Sequence, residues 1–521
     1  MAESRLTKSI LNARVNLIFY FLTLLLAFFS RKIFLDSLGA NFVGLTGTLQ
    51  NLLGFLNLAE MGIGAAIGYV LYRPLYEEDK PKINEIISVM GYMYRCVGLV
   101  ILGAGIILAL FLPKIFADTE FDTPIIYFVY FSFLASSLIG YFINYRQTLL
   151  GADQRNYVVT AYYQTANICK IVIQMTIAAY SGNYYLWAAI ELVFGVLYSF
   201  ILNYKINKVY PWLKSEIKLG RSLLTKYPDV IKYTKQLFVH KIALVVYHQI
   251  SPFLIYAFAS LQTVAYYGNY SLIVSKLDGV ISNLLGSTTA GVGSLIAEGN
   301  KDKILKAYWE LMALRFVIAS VFVFALYKLL PSFIILWLGS QYVLPNNILI
   351  LILITYFLGL VRGTNDQFIM GYGLFYDIWA PFAEALILVV FAILGGKIWG
   401  FAGVFLGNIM STIIIVYIWK PYMLFTKGFK LSLCKYWLPW LWHCILFVSV
   451  IIISYNLMSF IQYIDNAAAG WLNWIASGVI IVVLHSVLTF VVFYIGTTGM
   501  KNFVERIATK VSAGITKLKS R

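Results

Sequence analysis

Long apolar stretches recur about fourteen times along the 521 residues, and they constrain the fold more than any other feature of the sequence. A helix of about 20 apolar residues crosses the hydrocarbon core of a bilayer, which is about 30 Å thick. Hydrophobic residues make up 60% of the chain and charged residues only 12%, against roughly 25% charged residues in a soluble protein. The sequence therefore predicts an all-α, polytopic membrane protein with about fourteen transmembrane helices.

The predicted spans follow one another with short connections over most of the chain. They cover residues 14–30, 43–72, 86–112, 124–145, 158–180, 184–204, 233–258, 263–291, 307–330, 345–370, 375–395, 399–420, 438–459 and 472–497. We interpret the first stretch as a span and not as a signal peptide, because no A-x-A cleavage pattern follows it. No metal site is predicted, since the four cysteines are dispersed in or beside apolar stretches.

The basic residues predict the orientation of these spans. Of the 40 lysines and arginines, 30 lie in segments on the side of the N-terminus, five on the opposite side and five inside spans. Because basic loops stay on the cytoplasmic side of a membrane, both termini are predicted to be cytoplasmic. The net charge of +17 does not indicate nucleic-acid binding, because the basic residues occupy short segments between spans.

Two halves of the chain share weak sequence features in the same order. The shared features are an aromatic-x-Gly at Phe42–Gly44 and Tyr266–Gly268, a Gly-x-Gly at 62–64 and 291–293, and a Gln-x-x-x-Gly at 147–151 and 367–371. We interpret these as two six-helix bundles of the same orientation, with a site between them. The predicted domains are residues 1–205, a basic cytoplasmic linker at 206–232, residues 233–424, and two further helices with a basic tail at 425–521.

Polar residues within the spans are the candidate functional residues, because a charge at the bilayer centre costs about 2.5–3.5 kcal/mol and normally faces a bundle interior or a wet cavity. The candidates for substrate binding are Lys170, Arg95, Lys276, Arg315, Lys241, His248, Asn167 and Gln174. The acidic candidates for ion or proton coupling are Glu60, Asp278, Glu191 and Glu384. The alternative for each is a structural ion pair, such as Lys276 with Glu60 or Arg315 with Glu310. Arg362 and Asp366 are predicted to pair near the inner surface.

Several short motifs resemble those of bacterial polysaccharide-repeat flippases, within the multidrug/oligosaccharidyl-lipid/polysaccharide exporter superfamily. These motifs are Arg31 before Leu38-Gly39-x-x-x-x-Gly44, then Ala59-Glu60-Met61-Gly62, then Leu75-Tyr76-x-x-Asp79 with Ile83. The resemblance implies a V-shaped, two-lobed transporter in the bacterial cytoplasmic membrane. It also implies a substrate, undecaprenyl-diphosphate-linked oligosaccharide for O-antigen or capsule, which moves to the outer leaflet by alternating access. A polysaccharide polymerase and a chain-length regulator are the implied protein partners.

The hypothesis from the sequence is thus a flippase, and not an enzyme, with a cationic central cavity in which Lys170, Arg95 and Lys276 contact the diphosphate. Outward movement of about two negative charges is downhill in a cell that is negative inside, at about 2.3 kcal/mol per charge per 100 mV. No phosphate-binding loop of the ATPase type occurs, and no cofactor is predicted beyond coupling to Na⁺ or H⁺. The alternatives are a cation-coupled exporter of small molecules and a membrane glycosyltransferase or polymerase. The short outward loops, the longest at about 331–344, disfavour an enzyme.

Overall fold

The computed structural model describes residues 5–56, 60, 62–286, 288–374, 377, 379–458 and 467–519. Within these ranges all regular structure is helical and no strand is present, so the predicted all-α class is confirmed. The α-helices are α1 (Arg5–Leu56), α2 (Ile63–Tyr76), α3 (Lys80–Ile115), α4 (Thr123–Phe142), α5 (Gln147–Ala152), α6 (Asn156–Ser181), α7 (Tyr184–Val209), α8 (Gly220–Leu224), α9 (Pro228–Phe258), α10 (Leu261–Gly286), α11 (Thr289–Glu298), α12 (Lys301–Trp337), α13 (Asn346–Gly371), α14 (Trp379–Trp399), α15 (Phe401–Ser411), α16 (Lys420–Met423), α17 (Cys434–Met458), α18 (Trp471–Gly496) and α19 (Thr498–Lys519). π-Helical segments at Thr412–Trp419 and Leu424–Phe429 flank α16, and 3₁₀ turns occupy Asn144–Arg146, Ile217–Leu219, Ser340–Tyr342 and Ala467–Ala469.

The outer surface of the helices is strongly apolar and therefore suited to a lipid environment. Ten of the described helices are long and apolar enough to cross a membrane. Large apolar side chains on them point outward, including Leu110 at 72% exposure and Leu472 at 78%. A surface covered in such side chains is stable only against hydrocarbon, which also forces each backbone to bond within its own helix. The chain is a multi-pass membrane protein.

Each predicted span overlaps a helix, but two spans that were predicted as continuous are broken. Span 43–72 is divided between α1 and α2, where Gly62 has the left-handed φ of 101° that favours a residue without Cβ. Span 263–291 is divided between α10 and α11 at Thr288, whose hydroxyl donates to the Leu285 carbonyl at 2.6 Å. The side chain of Gln367 also donates to that carbonyl, at 3.0 Å. A neighbouring side chain thus satisfies a backbone group freed by the break, as a bilayer requires.

The motif around Gly39 and Gly44 has a packing role in this structure. Gly39 is not helical and bends α1. At Gly44 a Cβ would lie 1.9 Å from the carbonyl oxygen of Leu261, so only glycine allows α1 to approach the start of α10. Arg31 donates from Nη2 to the Ala265 carbonyl at 2.7 Å, in the same region. The motif therefore joins α1 to the beginning of α10.

The chain divides into two compact units, Met1–Ala265 and Tyr266–Arg521. In the first unit α1 packs on α6 and α9, α4 on α7, and α6 on α7. In the second unit α12 contacts α13, α17, α18 and α19, while α14 and α15 form a tight pair. Helix α9 follows the basic linker and packs within the first unit. The domain limits predicted from the loops, with a boundary at 205–232, stay a prediction.

Candidate functional site

A cavity of about 410 Å³ lies inside the first unit, between α1, α4, α6 and α7. Most of its described lining residues carry polar side chains, although these helices are otherwise apolar. Its lining includes the amides of Gln50, Asn144 and Asn167 and the phenol rings of Tyr163 and Tyr198. Keeping so many polar groups in membrane-spanning helices is costly unless they face water, partners or a ligand. The cavity is therefore the main candidate site in the first unit.

Lys170 and Glu191 form an ion pair on the cavity wall. The Lys170 Nζ lies 2.8 Å from the Glu191 Oε1, and the two side chains are 18% and 19% exposed. The pair follows from the tight turn between α6 and α7, where the Asn183 side chain accepts a hydrogen bond from the Leu186 N–H at 3.0 Å. This turn sets the two helices antiparallel. The cation that the sequence assigned to a phosphate is thus neutralised by a neighbouring acid.

Tyr163, Asn167, Lys170 and Gln174 recur at helical spacing in span 158–180, which predicts one polar stripe, but the structure divides this stripe into two parts. Tyr163, Asn167 and Lys170 follow at helical spacing and line the cavity. Gln174 continues the same stripe, but it is 2% exposed and donates to the Trp187 carbonyl at 3.1 Å. Gln174 is therefore a helix–helix contact in this structure, while the other three residues face the cavity.

One wall of the cavity carries a hydrogen-bond network that the sequence reasoning missed. Asn144 donates to the Ser199 hydroxyl at 2.8 Å, and the Asn203 side chain donates to the side-chain Oδ1 of Asn144 at 3.1 Å. Arg146 donates from Nη2 to the Asn203 side chain at 2.7 Å. A signal was present in the sequence, because Asn203 follows Ser199 by one helical turn within an apolar span. Such a network fixes the side chains that surround the cavity.

Glu60 lies at the break between α1 and α2 and binds two phenols. Its Oε1 accepts from the Tyr94 hydroxyl at 2.7 Å and its Oε2 accepts from the Tyr141 hydroxyl at 2.9 Å. Both tyrosines are 5% exposed. Both donors are neutral hydroxyl groups, so these two contacts leave the charge of the carboxyl group without an ion pair. This geometry suits the coupling role predicted for Glu60, which stays a prediction.

Arg315 and Asp278 are the predicted candidates that lie near each other in the second unit. Arg315 is 9% exposed and donates from Nη1 to the Leu360 carbonyl at 3.0 Å. Asp278 is half-buried and interacts electrostatically with Arg315. The alternative pair of Arg315 with Glu310 is not formed, because Glu310 pairs with Arg506 at 3.0 Å.

Glu384 belongs to a second charged cluster of this unit. Its Oε1 lies 3.7 Å from the Arg362 Nη1. The predicted pair of Arg362 with Asp366 is present at 3.0 Å, and Lys420 also reaches Asp366 at 3.0 Å. Two cations and two acids compensate one another here, so the predicted surface pair is part of a half-buried network.

The remaining candidates do not line the cavity of the first unit. Arg95 is exposed on α3, and Lys276 is half-buried on α10. Lys241 and His248 lie on α9, and their side chains are outside the part of the chain that the structure describes. Of the predicted residues, the cavity therefore brings together Lys170, Glu191 and Asn167.

Two solved transporter structures share the arrangement of these helices. One is described as "Lipid II flippase MurJ, inward closed conformation"; it is 16% identical, has a TM-score of 0.64, and the likeness covers 93% of this chain and 99% of that chain. The chain has the fold of these transporters. The second is described as an "Inward-facing conformation of a multidrug resistance MATE family transporter of the MOP superfamily", at 16% identity and a TM-score of 0.57, over 79% of this chain and 97% of that chain. No protein-family model matches the sequence, and no curated protein matches it.

This transporter fold extends over nearly the whole chain in the flippase comparison, at 93% coverage. The predicted arrangement of helices is thus supported by these structures at 16% sequence identity. The fold does not assign a substrate, because one fold can carry sites of different chemistry. The class of substrate therefore has to be inferred from the side chains that line the cavity.

Proposed function

We propose that the protein is a transporter that moves a lipid-linked oligosaccharide from the inner to the outer leaflet of a bacterial cytoplasmic membrane. The observation that carries the proposal is the polar cavity among the membrane-spanning helices of the first unit, about 410 Å³ in volume. A membrane protein needs such a cavity when a polar head group must cross the hydrocarbon core. The fold shared with a lipid II flippase over 93% of the chain supports the same class.

The size and composition of the cavity suit a polar ligand. Small-molecule sites have volumes of roughly 300–1,000 Å³ and combine aromatic walls with a few polar groups. Tyr163 and Tyr198 form an edge-to-face pair with their ring centroids 5.3 Å apart, beside the amide of Asn167. The lipid tail of the substrate would remain in the bilayer while the head group enters the protein.

The energy source, orientation and partners belong to the same proposal. A diphosphate with about two negative charges would gain roughly 4–5 kcal/mol on leaving a cell at 100 mV. Arg95 and Lys276 remain the proposed contacts for the phosphates, and Arg315, Lys241 and His248 remain proposed contacts for the substrate, with both termini in the cytoplasm. Glu60, Asp278 and Glu384 remain the candidates for coupling to Na⁺ or H⁺. A polymerase and a chain-length regulator would use the exported oligosaccharide.

The proposal is tested by transport in proteoliposomes that contain the purified full-length chain. Lipid-linked oligosaccharide extracted from the source organism is labelled on its sugar, and its exposure on the outer leaflet is followed with a lectin. A cationic dye is tested in parallel under Na⁺ and H⁺ gradients. We expect transport of the lipid-linked oligosaccharide and not of the dye. Export of the dye alone would instead favour the cation-coupled exporter.

A further inference from the structure

The charges that line the cavity of the first unit cancel among the residues that the structure describes. Within that lining, Lys170 is the one cation, and Glu191, which pairs with it at 2.8 Å, is the one acid. A diphosphate site needs uncompensated lysines or arginines that can donate charge-assisted hydrogen bonds. The described lining of this cavity does not offer them, so it suits an uncharged ligand.

Two amides of the cavity have free hydrogen-bonding capacity. Within the described part of the chain, the side chains of Gln50 and Asn167 neither donate nor accept a hydrogen bond. Each amide offers two donors and an acceptor, so it can bind hydroxyl groups and acetamido groups alike. Gln50 lies on α1 and Asn167 on α6, so these groups reach a ligand from different helices.

Aromatic rings supply the other half of the site. Tyr163 is 51% exposed and lines the cavity together with Tyr198, Phe133 and Phe194. A sugar ring has polar edges and apolar C–H faces. The edges match amides and hydroxyls, and the faces pack against aromatic rings, which bury large areas at little conformational cost.

We infer that this cavity is a saccharide site, which takes an uncharged sugar of the lipid-linked substrate while the diphosphate binds elsewhere. The inference rests on the proposed function for the source of the sugar, and it reverses the expectation that Lys170 contacts a phosphate. Lys170 and Glu191 act here as a neutral structural pair that shapes the cavity wall.

The first test measures binding of free oligosaccharide to the full-length protein in detergent by calorimetry. The probe is the oligosaccharide released by mild acid from the lipid-linked pool of the source organism, so it carries neither lipid nor phosphate. We expect Asn167→Leu and Tyr163→Ala each to weaken its binding at least tenfold, which corresponds to about 1.4 kcal/mol. Gln50→Leu, on α1, provides the same test if either variant fails to fold.

The matched control is Thr176→Val on the same helix. The Thr176 hydroxyl is exposed and donates to the Val172 carbonyl of its own helix at 3.0 Å, and it does not line the cavity. The Thr176→Val variant should bind the free oligosaccharide with the same affinity as the unchanged protein. Failure of the unchanged protein to bind the free oligosaccharide at millimolar concentration would overturn the inference.

The second test separates the saccharide site from the proposed function. Proteoliposomes are loaded with either lipid-linked oligosaccharide or undecaprenyl diphosphate that bears no sugar. We expect Asn167→Leu to slow transport of the first substrate and to leave the second unchanged. Equal loss for both substrates would overturn the saccharide site while transport itself stands. Binding of free oligosaccharide without any transport would overturn the proposed function and leave the saccharide site in place.

Discussion

The ion pair between Lys170 and Glu191 allows a sharp test of how the cavity is built. If the pair is a structural element, removal of either partner leaves an uncompensated charge at membrane depth. Removal of both partners leaves a neutral wall of similar shape. We therefore expect Lys170→Met and Glu191→Met each to destabilise the protein, and the double variant to be nearly as stable as the unchanged chain.

The size of the effect follows from the burial of the pair. Loss of one partner from a fully buried ion pair costs about 3–5 kcal/mol. The side chains of Lys170 and Glu191 are 18% and 19% exposed, so water partly screens the remaining charge. We expect a loss of about 2 kcal/mol in the free energy of unfolding for each single variant, and at most about 1 kcal/mol for the double variant. The coupling free energy is then at least about 3 kcal/mol, at the upper end for residues in contact.

The assay is an equilibrium unfolding titration with SDS in mixed micelles, followed by intrinsic fluorescence. Lys208→Met, at an exposed lysine of α7, serves as the control and should change the unfolding free energy by less than about 0.5 kcal/mol. If the two single effects simply add in the double variant, Lys170 and Glu191 act independently. The reasoning about a neutral structural pair would then be refuted.

Three further predictions use the same titration. Gly403→Leu should lower the free energy of unfolding by about 2–3 kcal/mol, because a Cβ at this position would lie 1.9 Å from the Gly395 carbonyl oxygen and push α14 away from α15. An unchanged free energy of unfolding would contradict this close contact. Tyr94→Phe should lower the free energy of unfolding by about 1–2 kcal/mol, since it removes the 2.7 Å hydrogen bond from the Tyr94 hydroxyl to Glu60. An unchanged free energy of unfolding would mean that water replaces the hydroxyl. Burial raises the pKa of Tyr227, so the folded state keeps this proton where the unfolded chain loses it, and stability should fall as the pH rises above about 10. Tyr227→Phe should make that fall less steep, and an identical pH profile would argue against the shift.

The membrane-spanning helices could be predicted from the sequence because their cause is local. Within hydrocarbon, each backbone must satisfy its own hydrogen bonds, so a long apolar segment has to be helical whatever lies beside it. The breaks in spans 43–72 and 263–291 were not predicted, because their cause is not local to the segment. At Thr288 the break is compatible with a bilayer because Gln367, on a helix distant in sequence, donates to the freed Leu285 carbonyl.

The candidate site was predicted only in part for a related reason. Helical periodicity correctly grouped Tyr163, Asn167 and Lys170 on one face of a span. It gave no information on which helix that face would contact, so Gln174 was grouped with them although it bonds to Trp187. The orientation of the termini and the coupling ion stay predictions.

By itself, the sequence determined that this chain is a bundle of apolar helices with polar stripes at membrane depth. The physical reason is that hydrophobic length and helical spacing are properties of each segment alone. Only the tertiary structure decided what each polar group meets: Lys170 meets Glu191 at 2.8 Å, and Glu60 meets two tyrosine hydroxyls. The charge of a cavity depends on such neighbours across helices, so the ion pair that neutralises Lys170 became visible only in the packed fold.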